Sequence, residues 1–234
     1  MTSLVGKTLL VTGASSGIGK ALCESLLERG ANVLGVTRRP AALSENVFPI
    51  IADLTQRDQI TAIFQDLGKI DALVNCAGVA YLSRITDGNP ADWEEMWQVN
   101  VMALSLCCQL SLNHFPKSGG RIINVSSMSG HRVPPSGGFY APTKFAVKAI
   151  TEALRFELKS TDSPIQVACV SPGFVDTPLL DQYFRGREET LAQTKAAMKM
   201  LSPSDVAAAI LTILEAPAHV EIGDILIRSA EQRM

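Results

Sequence analysis

A tyrosine and a lysine stand four residues apart in the segment GGFYAPTKFAVKAI, residues 137–150. Residues with this spacing lie on the same face of an α-helix, so the phenol of Tyr140 and the ammonium group of Lys144 would be neighbours. Pro142 is tolerated in a first helical turn, where its missing N–H needs no partner. A phenol with a pKa of about 10 transfers protons slowly at neutral pH unless its phenolate is stabilised. The pair therefore predicts either proton-transfer chemistry or merely an exposed lysine beside a half-buried tyrosine.

A glycine-rich turn, TGASSGIG at residues 12–19, follows an apolar run and precedes an amphipathic one. Gly13, Gly17 and Gly19 allow a tight turn that brings the backbone close to a ligand, and a helix N-terminus offers unpaired N–H groups to a pyrophosphate. The same letters fit the hydrolase pattern G-x-S-x-G, with Ser15 as the nucleophile and His219 as the available base. A turn without any ligand is the third interpretation.

The rest of the chain alternates short apolar runs with amphipathic segments, as in parallel βαβ units. Strands are predicted at residues 7–13, 32–37, 47–53, 71–78, 121–127, 165–173 and 224–229, all apolar on both faces. Such strands belong to a sheet that is covered on both sides. Helices are predicted at 17–29, 56–67, 91–115, 140–160 and 203–215, and a mobile helical flap at 178–200. We expect one α/β domain over residues 1–234, a doubly wound (Rossmann) fold around a parallel sheet of seven strands.

Composition and charge exclude several classes of protein. The formal net charge of −2 argues against a nucleic-acid-binding protein, whose surface would be basic. No apolar run has the length of a membrane-spanning helix, and the N-terminus lacks the features of a secretory signal. The five cysteines and three histidines show no spacing typical of disulfides or metal ligands. We expect a cytoplasmic protein with no metal, no nucleic-acid partner and no membrane partner.

Six short motifs occur in one order along the chain. They are TGASSGIG at 12–19, NCAG at 75–78, the asparagine of WQVNV at 100, NVSS at 124–127, YAPTK at 140–144 and SPGFVDT at 171–177. Together they resemble the single-domain short-chain dehydrogenases/reductases, and the resemblance covers nearly the whole chain. Cys76 departs from the pattern, since many relatives have a second asparagine there.

The resemblance implies roles for four residues. Tyr140 would be the general acid–base, and Lys144 would lower the pKa of Tyr140 and hold the nicotinamide ribose. Ser127, 13 residues before Tyr140, would hydrogen-bond the substrate carbonyl. Asn100 would bend its helix locally and hold a water that links Lys144 to solvent. Ser126 is expected to be structural, because alternate residues of a strand point to opposite faces.

The resemblance also implies a dinucleotide site along several strand ends. Its residues are Gly13, Ser15, Ser16, Gly17, Ile18, Gly19, Thr37, Arg38, Arg39, Asp53, Leu54, Asn75, Ala77, Gly78, Tyr140, Lys144, Pro172, Gly173, Val175 and Thr177. An NAD-binding protein would place an acid at the end of the second strand, whereas this strand closes with Thr37 and two arginines. Since guanidinium groups bind phosphate well, we expect NADP(H), with Arg39 either a second phosphate ligand or only a solvated neighbour of Arg38.

The expected activity is the interconversion of a small ketone or aldehyde and its alcohol. The tail resembles an NADP-dependent subgroup that acts on small alcohols, 3-hydroxy acids and serine. The alternatives are a ketoreductase of 3-oxoacyl thioesters or of an antibiotic or other secondary-metabolite pathway, and a non-catalytic NADP sensor.

Substrate contacts are expected from 79–84, 128–139 and 178–200. Arg132, Arg185 and Arg187 either grip a substrate carboxylate or lie at the surface. Helices 91–115 and 140–160 are expected to pair in a homodimer or homotetramer.

Overall fold

The computed structural model describes residues 2–135 and 137–232. The strands are β1 Thr8–Thr12, β2 Asn32–Thr37, β3 Phe48–Ile51, β4 Ala72–Asn75, β5 Gly120–Val125, β6 Ile165–Pro172 and β7 Asp224–Ile227. The α-helices are α1 Gly17–Glu28, α2 Arg57–Gln65, α3 Pro90–Trp97, α4 Leu104–Ser111, α5 Tyr140–Ser160, α6 Pro178–Tyr183, α7 Glu188–Ala197 and α8 Pro203–Leu214. Each of the seven strands and five helices predicted from the sequence has a counterpart within a few residues. Ser136, within the predicted substrate segment 128–139, lies outside the described residues.

All strand pairs are parallel, and the sheet has the order β3-β2-β1-β4-β5-β6-β7. The predicted doubly wound architecture is therefore confirmed. The strand order reverses direction between β1 and β4, where Thr12 is paired with Asn75. Open sheets of this kind bind ligands outside the carboxyl ends of their strands at such a reversal. The turn after β1 and the residues after β4, β5 and β6 all lie at this edge.

Two apolar layers cover the sheet. Helices α1 and α8 pack on one face, and α2, α4 and α5 pack on the other. The central strands are buried, as Leu10 of β1 and Ile122 and Ile123 of β5 show. The expectation that all seven strands are covered on both faces is wrong for the two edges. Phe48 and Ile51 of β3 are 62% and 68% exposed, because an edge strand extends beyond the helices that cover its neighbours.

The predicted helix 91–115 is interrupted. Between α3 and α4 the chain forms a π-helical segment, Gln98–Ala103, whose middle contains Asn100. This departure from a regular α-helix lies where the resemblance placed a local bend, and π-helical turns are frequent at functional sites. By contrast, α5 runs unbroken over 21 residues from Tyr140, and Pro142 lies in its first turn as predicted.

The stretch 178–200 is helical, as expected, but loosely packed. It contains the six-residue α6 and the ten-residue α7, and no residue of α7 is buried. None of the helices among the described residues is both long and apolar enough to cross a membrane.

Candidate active site

A cavity of about 460 Å³ opens at the carboxyl edge of the sheet. Nine of the predicted site residues line it: Ile18, Gly78, Ser127, Tyr140, Lys144, Pro172, Gly173, Val175 and Thr177. The remaining predicted residues do not line the cavity but lie along the same edge of the sheet, at the ends of β1, β2, β3 and β4. Asn100 lies behind Gly78. The cavity thus unites the predicted proton-transfer residues with part of the predicted dinucleotide site.

Tyr140 begins α5 and lies buried in the cavity wall. Burial raises the pKa of Tyr140 well above its ordinary value, a hydrogen bond with the Ser127 side chain lowers it, and the nearby Tyr183 raises it. The Tyr183 ring meets the Tyr140 ring edge-on, with 5.8 Å between the centroids. Tyr140 is therefore a protonated phenol at neutral pH, suited to donating a proton to an oxygen in the cavity.

Lys144 stands one turn further along α5, with its Nζ 5.7 Å from the centroid of the Tyr140 ring. Its ammonium group donates a hydrogen bond of 3.1 Å to the carbonyl oxygen of Val125. Burial lowers the pKa of Lys144 to about 8. Burial is the largest influence on the pKa of both side chains, and the lowering of the Tyr140 pKa by Lys144 stays a prediction.

The two serines after β5 have different surroundings, as strand alternation predicts. Ser126 is buried, and its hydroxyl donates a bond of 2.9 Å to the carbonyl oxygen of Lys144. Ser127 lines the cavity, and its Oγ accepts a bond of 3.1 Å from the backbone N–H of Ser129. The Ser127 hydroxyl hydrogen is thereby left to point at a ligand or at Tyr140.

Asn100 lies behind the cavity wall and is almost fully buried. Its Oδ1 accepts from the N–H of Val79, and its Nδ2 donates to the Val79 carbonyl and to the Thr143 hydroxyl, all within 2.9–3.1 Å. These bonds tie the segment after β4 to the start of α5. A Cβ on Gly78 would lie 3.3 Å from Asn100 Oδ1 and 3.7 Å from Lys144 Nζ, so the Cα of Gly78 lies close to both. The water relay through Asn100 stays a prediction.

The glycine turn has the shape that a pyrophosphate requires. Gly13 and Gly17 have φ values of +68° and +52°, which residues with a side chain rarely adopt. A Cβ on Gly13 would lie 2.8 Å from Ala77 Cα, and one on Gly19 would collide with the Gly13 carbonyl oxygen. The Ser16 side chain does not cap α1, so the first N–H groups of that helix remain available. The turn therefore fits the phosphates of a dinucleotide.

The end of β2 carries no carboxylate. Thr37 is buried, and its Oγ1 accepts a bond of 2.9 Å from the N–H of Arg39, which fixes the turn after the strand. Arg38 and Arg39 are exposed. The Asp53 carboxylate accepts from the Thr55 backbone and hydroxyl. The Thr55 bonds and the Arg38 charge lower the pKa of Asp53, which is consistent with Arg38 lying near this carboxylate.

The residues predicted on the adenosine side occupy neighbouring strand ends. The Ala77 N–H donates to the Thr12 hydroxyl, and Asn75 Nδ2 donates to Asn124 Oδ1 at 2.9 Å. Asn75 Oδ1 is buried and has no hydrogen-bond partner among the described residues. Leu54 packs partly buried against the core beneath β3. This edge thus contains an unsatisfied acceptor next to the glycine turn.

Sequence reasoning missed the cavity residues at the end of β7 and just after it. Leu226, Arg228 and Gln232 line the cavity, and Gln232 Oε1 accepts a bond of 3.0 Å from the N–H of Phe174. The pairing of β7 with β6 explains their place, because Pro172 is aligned with Ile227. The predicted parallel strand at 224–229 could have indicated these residues, because the end of a parallel strand lies at the carboxyl edge of the sheet, where the cavity opens.

His131 was also missed. Its Nδ1 lies 2.9 Å from the Lys148 ammonium and its Nε2 lies 3.0 Å from the Ser171 hydroxyl. An ammonium group only donates, so His131 is neutral and carries its proton on Nε2. Burial and the Lys148 charge lower the pKa of His131. His131 is therefore a fixed wall residue rather than a base that could activate Ser171.

The three candidate arginines have different surroundings. Arg132 lines the cavity. Arg185 places its guanidinium 5.2 Å from the centroid of the Tyr81 ring, and the Arg187 charge acts on Asp87 at the surface. Of the three, only Arg132 is positioned to meet a ligand in the cavity.

The hydrolase interpretation of Ser15 is wrong. Ala218, next to His219, lines a second cavity together with Lys7, Asp71 and Gly120, at the amino ends of the strands. Ser15 follows the carboxyl end of β1, on the opposite edge of the sheet. The base that this interpretation required therefore lies too far away to act on Ser15.

Comparisons of the sequence and of the fold with known proteins identify the family. A sequence profile described as short chain dehydrogenase matches residues 7–188. The bovine dehydrogenase/reductase SDR family member 11 is 39% identical over an alignment 245 positions long. The alignment covers 95% of this chain and 96% of the bovine protein. The closed form of a serine dehydrogenase complexed with NADP+ superimposes with a TM-score of 0.88 at 27% identity, over 97% of this chain and 96% of the other. A short chain dehydrogenase from Burkholderia cenocepacia in complex with NADP superimposes with a TM-score of 0.82 at 25% identity, over 99% and 91% of the two chains.

Proposed function

This chain belongs to the short-chain dehydrogenase family and is an oxidoreductase that acts on CH–OH groups, and from this premise we propose its cofactor, mechanism and substrate class. We propose that it uses NADP(H) to interconvert a ketone or aldehyde and the corresponding alcohol. The observation that carries the proposal is the convergence of Ser127, Tyr140 and Lys144 in one cavity beside a glycine turn that fits a dinucleotide.

The proposed mechanism assigns one task to each side chain. In the direction of reduction, the Ser127 hydroxyl donates a hydrogen bond to the substrate carbonyl oxygen, and the Tyr140 phenol donates the proton that this oxygen takes up. In oxidation, the phenolate form of Tyr140, which is the form that proton donation leaves, receives that proton. Lys144 holds the nicotinamide ribose, and Asn100 keeps α5 and the segment after β4 in register. A bound nicotinamide supplies the hydride in reduction and accepts it in oxidation.

Two features of the dinucleotide site support NADP(H). The end of β2 offers Arg38 and Arg39 instead of an acid, and an arginine fork suits a 2′-phosphate. The serine dehydrogenase and the Burkholderia protein, both similar to this chain, were solved with NADP+ and NADP, respectively. In this proposal Arg38 binds the 2′-phosphate and Asp53 with Leu54 borders the adenine.

The cavity lining supports a substrate without a cationic group. Much of the wall is apolar, formed by Met128, Pro134, Leu179, Leu180 and Tyr183 among others. No aspartate or glutamate lines it among the described residues, so the ammonium group of serine would have no counter-ion. We therefore propose a neutral or anionic carbonyl compound with an apolar substituent, in spite of the similarity to a serine dehydrogenase.

The proposal extends to assembly and location. Phe145 and Phe156 of α5 are 41% and 66% exposed, and Met102 of the π-helical segment is also exposed, which supports pairing of these helices in a homodimer or homotetramer. All five cysteines are unpaired, as suits a reducing cytoplasm. Light scattering of the purified protein would test the assembly.

The test of activity follows the absorbance of NADPH, with NADH in parallel, across apolar ketones, aldehydes, 3-oxo acids, 3-oxoacyl thioesters and, in the reverse direction, serine. We expect turnover of apolar ketones or aldehydes with NADPH and very little with serine. Binding of NADPH without turnover of any carbonyl compound would instead favour a sensor, and preferential turnover of serine would contradict the proposed substrate class.

A further inference from the structure

The phenol of Tyr81 joins two helices that border the cavity. Its Oη donates a bond of 2.7 Å to Glu95 Oε2 on α3 and accepts one of 2.7 Å from Gln182 Nε2 on α6. The direction is fixed, because a carboxylate only accepts and an amide nitrogen only donates. Arg185 lies against the Tyr81 ring, and the N–H of Leu82 donates to the Tyr183 carbonyl oxygen.

Other side chains of α6 form part of the wall of the cavity beside Tyr140. Leu179 and Tyr183 pack against a cluster of buried residues that includes both Tyr81 and Tyr140. Leu180 lines the same cavity. One short helix thus meets Tyr81 through Gln182 and presents apolar side chains to the ligand space through Leu179, Leu180 and Tyr183.

Besides Gln182, α6 is held by the buried side chain of Leu180 and by the bond from the Leu82 N–H to the Tyr183 carbonyl oxygen, and little support comes from the chain beyond α6. The helix that follows it, α7, buries no residue, and its ion pairs from Lys195 to Asp176 and Asp181 are exposed. Exposed ion pairs contribute little to stability. The bonds of Tyr81 are partly buried and connect α6 to α3, which is itself continuous with the π-helical segment around Asn100.

We infer that Tyr81 is a positioning and specificity-determining residue: through Gln182 and Glu95 it holds α6 so that Leu179, Leu180 and Tyr183 close an apolar wall over Tyr140. The inference rests on the proposed function and deepens it. The hydroxyl of Tyr81 does not touch the reacting atoms. Its loss loosens the wall that receives the apolar substituent and leaves the proton-transfer residues in place.

The test compares Tyr81→Phe and Gln182→Leu with the matched control Gln193→Leu. Gln193 lies in the same stretch of chain, but its amide bonds only Glu189 within α7. For an apolar ketone we expect KM to rise about fivefold in both test variants, by the loss of a hydrogen bond, with kcat changed less than twofold and the Kd of NADPH unchanged. For a short ketone such as acetone, which has no large apolar substituent to pack against the wall, KM should change much less, and Gln193→Leu should behave as wild type.

Hydrogen exchange of the amides in 178–187 provides a readout independent of turnover. We expect faster exchange in Tyr81→Phe and Gln182→Leu than in wild type and Gln193→Leu. If the wild-type protein reduces no carbonyl compound but this exchange difference is present, the proposed function fails while the positioning of α6 by Tyr81 stands. Unchanged exchange, or an equal rise of KM for apolar and short ketones, would overturn the inference. The double variant should show less than the sum of the two single effects, since both remove the same bond.

Discussion

Tyr140 and Lys144 stand on the first two turns of a 21-residue helix, whereas Leu180 and Tyr183, which line the same cavity, stand on a helix of six residues. Ser126 and Asn100 bond the backbone of α5 or its first turn, so the proton-transfer side is fixed by buried contacts between long elements. The wall formed by α6 depends on side-chain bonds between short segments. The residues proposed for proton transfer thus lie on the side of the cavity formed by α5 and its buried contacts, which we call the rigid side. The residues proposed to select the substrate lie on α6, which has fewer constraints.

The largest effect is expected from Tyr140→Phe on the rigid side. The variant keeps the buried ring and loses the proton donor, so kcat should fall by about a thousandfold or more, in the range typical of a lost general acid. The Kd of NADPH should stay within about twofold, because the ring still fills the wall. Steady-state kinetics together with a fluorescence titration of NADPH would check both values. Substantial turnover in this variant would contradict the assignment of Tyr140.

Ser127→Ala and Ser126→Ala form a matched pair one residue apart. Ser127→Ala removes the donor to the carbonyl oxygen, and kcat/KM should fall about a hundredfold, while thermal stability falls only slightly because the Ser129 N–H that loses its acceptor is only partly buried. Ser126→Ala breaks the bond to the Lys144 carbonyl and should cost about 1 kcal/mol of the free energy of unfolding, with a smaller loss of activity. Kinetics and denaturant unfolding of both variants would separate the roles. A reversed pattern would show that the two hydroxyls had been assigned the wrong way round.

Arg38→Ala and Arg39→Ala form a second matched pair of neighbouring residues, at the dinucleotide site. Arg38→Ala removes a charge-assisted bond to the 2′-phosphate. Binding of NADPH should therefore weaken by about tenfold to a hundredfold, while the affinity for NADH stays unchanged. Arg39→Ala should have a small effect on both. Titration of each variant with the two dinucleotides gives the answer, and an equal loss for NADPH and NADH in Arg38→Ala would mean that the phosphate is bound elsewhere.

The pKa of Lys144 predicts how cofactor affinity changes with pH. Burial holds this pKa at about 8 in the free protein, and the ribose and phosphates of a dinucleotide favour the ammonium form. Affinity should therefore be full below pH 8 and weaken as the pH rises through it, by about tenfold at pH 9, because binding then requires uptake of a proton. Measuring the Kd of NADPH from pH 6.5 to 9 would check the slope. Lys144→Met should bind more weakly with a flat profile, and a steep profile in that variant would assign the titration to another group.

The rigid side was largely predictable from the sequence, whereas for the opposite wall the sequence indicated the segment 178–200 but not the contacts that position it. Tyr140, Lys144 and Pro142 follow from helical spacing, and the glycine turn follows from the close approach that Gly13 and Gly19 require. The contacts of Tyr81 and Gln182 join segments about a hundred residues apart and follow no periodicity. The shift in the pKa of Tyr140 could not be predicted either, because it depends on burial rather than on spacing.

The smallest effect is expected at Gln232, where the chain after β7 meets the loop after β6. Its Oε1 accepts the Phe174 N–H, next to Gly173, whose backbone is held by the Ile227 carbonyl. Gln232→Leu leaves that N–H without its partner, so we expect a three- to tenfold weaker Kd for NADPH, about the value of one hydrogen bond. Gln232→Glu keeps an acceptor and should restore most of the affinity.

Gln166→Leu removes a similar amide bond to Ala218, near the opposite edge of the sheet, and should leave the Kd unchanged. Equal Kd values in Gln232→Leu and wild type would show that the loop holds its position without this side chain, and that the rigid side of the cavity extends to Phe174.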